Sequence, residues 1–169
     1  SQVGNYTTTS NFEEVNGDLD NQVTEGWSYK ANLQADSASR SGHYKTYANI
    51  LVGSETLGEI TDGVVTESVT IGESLRGAGN QTGDYTTTSR FDAVNGLLNY
   101  QSTEGDSYKV NGKDTPADQA GHYVTSATDF WVKWGTVRTS ITTGESLKGA
   151  TSQVGNYTTT SNFEEVNGD

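Results

Sequence analysis

Apolar and polar residues alternate along this chain in short runs. Between Tyr6 and Phe12, the residues Tyr6, Thr8, Ser10 and Phe12 fall on one side of an extended backbone, and Thr7, Thr9 and Asn11 on the other. Thr, Tyr, Val, Ile, Phe and Trp gather in such runs, and Gly, Asn and Asp separate them, the signature of strands joined by turns. The pattern predicts strands over 6–12, 19–23, 27–33, 44–52 and 64–71, with counterparts over 97–101, 108–110, 123–134 and 137–142. No stretch sustains an apolar period of 3.6 residues, so the expected fold class is all-β with little helix. Asn16-Gly17 and Asn95-Gly96 follow the first strand of each half. Asn-Gly tolerates positive φ, which predicts a two-residue type I′ hairpin turn at both places. Glu25-Gly26 and Glu104-Gly105 read as the next turns, and Gly42 and Gly121 as the openings of longer strands.

The runs recur. Residues 152–169 repeat residues 1–18 letter for letter, an offset of 151, and a diverged copy keeps GxYTTTSxFxxVNG from Gly83 to Gly96. From Gln2/Gln81 to Tyr44/Tyr123 the halves align at an offset of 79. The offset falls to 72 at the GESL segments, Gly72-Glu73-Ser74-Leu75 and Gly144-Glu145-Ser146-Leu147, so the second half lacks seven residues between about Tyr123 and Val137. This predicts two related antiparallel β modules of sandwich or meander type in tandem. Module A spans residues 1–78, module B spans 79–151, and 152–169 supplies the first strand and turn of the next copy. Small modules of this kind share or cap one another's apolar faces. A β-solenoid is the alternative, because glycines opening β-like runs recur at a mean of about 19 residues, near one coil. The intervals are uneven and hairpin turns reverse the chain, which favours antiparallel modules.

Composition narrows the function classes. The net charge is −12, which excludes the basic footprint of a nucleic-acid binder and disfavours docking to anionic membranes. There is no Cys, hence no disulfide or thiolate metal site, and no apolar run long enough to insert in a membrane. Hydrophobic residues make up 31%, yet nine Tyr, four Phe and three Trp distinguish the chain from a disordered one.

Candidate chemistry is sparse. His43 and His122 occupy equivalent GHY positions with no adjacent ligand residue, which suits a hydrogen-bonded strand histidine better than a metal ligand. Glu13, Glu14, Asp18, Asp20 and Asp62 form acidic turns that could take Ca²⁺, but the second half replaces Asp18 and Asp20 with Leu97 and Asn99. No cofactor is therefore expected. Glu25/Glu104, Lys30/Lys109 and Glu73/Glu145 recur in both halves and fit cross-strand ion pairs or turns better than the paired acids of a glycosidase. Trp27, Trp131 and Trp134 are possible interface aromatics. Trp27 is the foremost, because Asp106 replaces it in the other half. Three Asn-x-Thr acceptor patterns begin at Asn5, Asn80 and Asn156.

In style, though not in motif, the chain resembles the acidic, Thr/Gly/Asp-rich repeat regions of large surface adhesins and secreted fibre proteins. The expectation is a non-enzymatic structural segment of an extracellular or cell-surface tandem-repeat protein: a fibre, stalk, adhesin or secreted adhesive. Its partner would be itself, head-to-tail, with glycans possible and no nucleic acid. A carbohydrate- or ice-binding β module is the alternative. The ice version needs threonines aligned across many strands, an alignment not evident from spacing alone. With no metal expected, thermal unfolding should be unchanged by a chelator and should shift modestly upward in salt as self-repulsion is screened. A chelator-induced fall of several degrees would overturn that expectation.

Overall fold

The structure, a computed structural model, describes residues 3–30, 36–109, 116–131, 133–149 and 151–164. They form an all-β protein built on one antiparallel sheet. Its long strands follow one another as a meander: β1 (Gly4–Phe12), β2 (Leu19–Tyr29), β3 (Arg40–Ala48), β7 (Val64–Leu75), β8 (Gln81–Phe91), β9 (Leu98–Tyr108), β10 (Gln119–Trp131), β11 (Thr136–Leu147) and β12 (Gln153–Asn162). Three short strands, β4 (Ile50–Val52), β5 (Glu55–Leu57) and β6 (Glu59–Thr61), lie between β3 and β7. The sheet neither closes into a barrel nor winds into a solenoid, because β1 and β12 each pair on one side only. Of the sandwich and meander forms, the meander is the one present. β7 pairs with β8, so the two halves contribute to a single continuous sheet.

Residue type dictates the register. One row runs Tyr6–Gly26–Tyr44–Gly72–Tyr85–Gly105–Tyr123–Gly144–Tyr157, each residue opposite the next on the neighbouring strand. Two residues along, a second row is threonine on all nine strands: Thr8, Thr24, Thr46, Thr70, Thr87, Thr103, Thr125, Thr142 and Thr159. On the other side of the tyrosine row, glycine alternates with serine from Gly4 to Gly155. These rows share one face, since side chains two apart on a strand point the same way. The alternation of bulky and absent side chains has a steric cause. Tyr44, Tyr85, Tyr123 and Tyr157 lie across Gly26, Gly72, Gly105 and Gly144 on the preceding strands, and a Cβ at Gly72 would sit 2.2 Å from the Tyr85 ring. A glycine in a strand interior is weak alone, and an aromatic ring laid over it restores the missing packing.

This explains two departures from the sequence pattern. Glu25-Gly26 and Glu104-Gly105, expected as turns, lie inside β2 and β9, because those glycines are seats for tyrosine rings. Gly42 and Gly121 likewise lie within β3 and β10 rather than at their starts. The expected strands over 19–23 and 27–33 merge into β2 for the same reason as far as Tyr29, and residues 31–33 lie outside the described ones.

The Asn-Gly connections also differ from expectation. β1 and β2 do pair, but the turn at Asn16-Gly17 is not a two-residue one. The Glu13 amide donates to the Asp18 carbonyl at 2.8 Å and the Gly17 amide to the Glu13 carbonyl at 3.0 Å, leaving four residues in the loop. Gly17 has φ 76°, but Asn16 is not in the positive-φ region that a type I′ turn requires of both residues. Instead its side-chain oxygen accepts the Asp18 amide at 3.0 Å. Asn95-Gly96 repeats this form, and there the Asp92 carboxylate accepts the Val94 and Asn95 amides, which favours a helical turn. The two-residue turn with positive φ at both positions is Asp62-Gly63, between β6 and β7.

The seven-residue difference between the halves maps to β4 and β5. β7 pairs first with β6 and then with β3, so β6 resumes the line that β3 leaves, as the single strand β10 does opposite β11. The β4–β5 hairpin is inserted at that point. The chain re-enters at Gly58, with φ 72°, where a Cβ would lie 2.6 Å from the Tyr47 carbonyl.

Among the described residues the buried apolar side chains are Ala48 and Val69, and none is fully buried. Cohesion is therefore lateral. Gly72→Ala should destabilise the chain by about 1–3 kcal/mol, because the added methyl displaces the Tyr85 ring. Tyr85→Ala should cost a similar amount, and the double variant should cost clearly less than the sum in a denaturant-based mutant cycle.

Candidate functional site

The opposite face carries the charge. Its central row runs Asn5, Trp27, His43, Glu73, Asp84, Asp106, His122, Glu145 and Asn156 across the nine strands. Beside it run Glu25, Lys45, Ile71, Thr86 and Glu104 on β2, β3, β7, β8 and β9. Over β3, β7, β8 and β9 these side chains, together with Tyr47 and Gln81, line an open depression of about 490 Å³.

Three carboxylates, Glu73, Asp84 and Asp106, stand directly opposite one another on successive strands, an arrangement that self-repulsion disfavours. Each has a donor. His43 Nδ1 lies 3.5 Å from Glu73, while His43 Nε2 is 2.8 Å from Glu25. The Tyr108 hydroxyl donates to Asp84 at 3.0 Å and Gln81 Nε2 donates to the same oxygen at 3.3 Å. Asp106 accepts from Gln119 Nε2 at 2.6 Å and stands 2.9 Å from His122 Nδ1. The carboxylates are thus held by amide, phenol and imidazole donors rather than by lysine or arginine.

The titrations follow from these contacts. The hydrogen bond from His43, helped by the nearby Lys45 ammonium, holds the Glu25 carboxyl below its ordinary range. Burial, the bond to Asp84 and the charges of Asp84 and Asp106 push the Tyr108 phenol up to about 12. Tyr85 and Tyr123 are also raised, chiefly by burial against the sheet.

The residues singled out in the sequence fall as follows. His43 and His122 sit inside β3 and β10 and flank the acidic row. Trp27 is half-buried, stacked on His43 at 3.9 Å with the Arg40 guanidinium 3.9 Å from its ring. Trp131 lies at the far end of β10 under Arg138, and Trp134 is 55% exposed in the following turn, so the three tryptophans do not form one platform. Glu104 approaches His122 at 3.5 Å and Glu145 is its neighbour in register. Lys109 Nζ donates to the Ala117 carbonyl, and Lys30 follows β2. Asp18 accepts from Asn16, and Asp20 from Asn21. Among the described residues no group of three His, Asp or Glu side chains is disposed to hold a metal ion.

Sequence reasoning missed Asp84 as a site residue, and with it Gln81 and Gln119. The signal was available in the differences between the halves: Asn5 becomes Asp84 and Trp27 becomes Asp106 on this one row. The acidic row exists only where the last strand of module A meets the first two of module B.

No family model, characterised protein or solved structure matches this chain. Among the described residues no helix is long and apolar enough to cross a membrane.

The raised phenols set an alkaline limit. A phenol raised in the folded state contributes stability that is complete below pH 10 and lost as pH rises through the folded value, about 12 for Tyr108. Tyrosinate absorbance should therefore lag behind that of the unfolded chain and then appear together with the loss of strand signal between pH 10 and 12. Tyr108→Phe should remove part of the lag. The lowered Glu25 acts in the opposite sense, its small contribution being lost as pH falls below the ordinary carboxylate range.

Proposed function

We propose that this chain is a structural repeat segment of a larger extracellular tandem-repeat protein, in which successive copies extend one sheet and no reaction is catalysed. The observation that carries this reading is the seating of β12. Its sequence is that of β1, yet it lies on β11 as β8 lies on β7: Ser146–Gly155, Gly144–Tyr157 and Thr142–Thr159 reproduce Ser74–Gly83, Gly72–Tyr85 and Thr70–Thr87. The start of a third half thus continues the rows without a break. At the other edge, Tyr6 is 73% exposed with no glycine beneath it, against 47% for Tyr157 over Gly144. A preceding GESL strand would supply that glycine. Head-to-tail contact of this heterologous kind propagates without closing, as a stalk or fibre requires. The acidic charged face favours solubility of such an array and argues against nucleic-acid partners.

A carbohydrate- or ice-binding surface is the second reading, favoured by one observation that spacing had not suggested, the nine-threonine row. Four pairs of those hydroxyls bond to each other, and the adjoining rows are Tyr/Gly and Ser/Gln/Ala rather than threonine. This leaves the structural reading the stronger.

The test is length. A unit of 151 residues holds eight long strands, from β1 to β11, so each added unit should lengthen the particle by about 38 Å in small-angle scattering at an inter-strand spacing of about 4.8 Å. A chain of two or three units should grow linearly as one rigid ribbon. Units that scatter as separate bodies on flexible joints would overturn the reading.

A further inference from the structure

We infer that the uncharged face of the sheet is an interface that packs against the same face of a second copy of this chain. A β-sheet gains independent stability by burying a face against another layer. Among the described residues no such layer exists: contacts between elements run almost wholly between paired neighbours, and Ala48 and Val69 are the buried apolar residues. Something covers this sheet, and its two faces are not equivalent candidates.

The charged face holds the acidic row, His43, His122, Lys45 and Glu25, whose dehydration would be costly. The other face carries four rows: Gly/Ser, Tyr/Gly, Thr/Thr, and a row of Ser, Gln and Ala that includes Ser10, Gln22, Ala48 and Ser89. No charged side chain stands in any of them. Its polar groups are largely satisfied within the face. Thr8–Thr24, Thr46–Thr70, Thr87–Thr103 and Thr125–Thr142 hydroxyls pair at 2.8–2.9 Å, and Gln22 and Gln101 donate to Ser10 and Ser89. The threonine and glutamine groups so paired shed water without stranding a donor, whereas a glycan-binding surface needs such groups free.

Size and charge select a second copy. Nine strands about 4.8 Å apart and four rows about 6.8 Å apart span about 38 by 20 Å, or about 800 Å² on each partner, the area of a standard stable interface. Glycine, serine, alanine and threonine allow two such faces to approach at the usual sheet-to-sheet distance of about 10 Å. Back-to-back packing turns both charged faces outward, the favourable disposition for two chains of charge −12. The contact is isologous and closes at two copies.

Sedimentation of the full chain tests this. The wild type should behave as a closed dimer of 18.1 kDa chains. Thr70→Lys/Thr103→Lys, on the uncharged face, should weaken dimerisation at least tenfold, a shift of about 1.4 kcal/mol or more. Thr86→Lys/Thr143→Lys, on the charged face, should leave the dimer intact. Circular dichroism reports folding, and if the first pair loses its strand signal, Ser74→Lys/Ser107→Lys on the same face replaces it. A monomeric wild type overturns the proposal, as does equal sensitivity to both pairs. A monomer that binds a soluble β-glucan or restrains ice recrystallisation overturns it in favour of a ligand surface. An open series of sizes unaffected by the face variants overturns it while leaving the repeat reading intact. A closed dimer formed by a chain whose added units fail to lengthen it would do the reverse.

Discussion

Tyrosine laid over glycine is the contact on which the rest of this structure depends. A single sheet has no interior to collapse into, so the hydrophobic contribution has to be found between neighbouring strands. Each ring covers the one position on the preceding strand with no side chain of its own, and the Cβ clearances of 2.2–2.6 Å at Gly26, Gly72, Gly105 and Gly144 show that nothing but hydrogen fits there. The contact also fixes register. A slip of one residue would lift the ring off its glycine and exchange the faces, placing threonine and serine where the carboxylates now stand. Strand order, register and the separation of charge all follow from it.

That separation shapes the chemistry of both sides. On the charged face, three acids in line are tolerated because Tyr108, Gln119 and the two histidines reach them from adjacent rows and strands. On the other face, hydroxyls answer hydroxyls. The same period-two alternation therefore yields a surface rich in acidic and basic side chains and one whose rows carry none. Such a division suits an element that presents one side to solvent and rests the other against something neutral.

The fold class was legible from the alternation of residues, and the location of the seven-residue difference from the two offsets. The lengths of β2 and β9 were not, because Gly26 and Gly105 carry the usual mark of a turn. Only the register reveals Tyr44 and Tyr123 above them, and register is a relation between residues far apart in the chain. Asn16-Gly17 misled for a local reason: Asn16 uses its side chain to bond the Asp18 amide and stays out of the left-handed region. The row of nine threonines was hidden in the same way, since the single Thr24, Thr46 and Thr70 have no local motif around them. The acidic row is not legible in what the halves share, because Asp84 and Asp106 lie where they differ.

The β4–β5 hairpin leaves the sheet after Ala48 and the chain returns at Gly58 to the same line. The rows on either side keep step although this half is seven residues longer than the other. Chain length at that point is thus uncoupled from the geometry of the sheet. Substitution or growth there lets the two halves differ, or acquire an appended loop, without disturbing how their long strands pair.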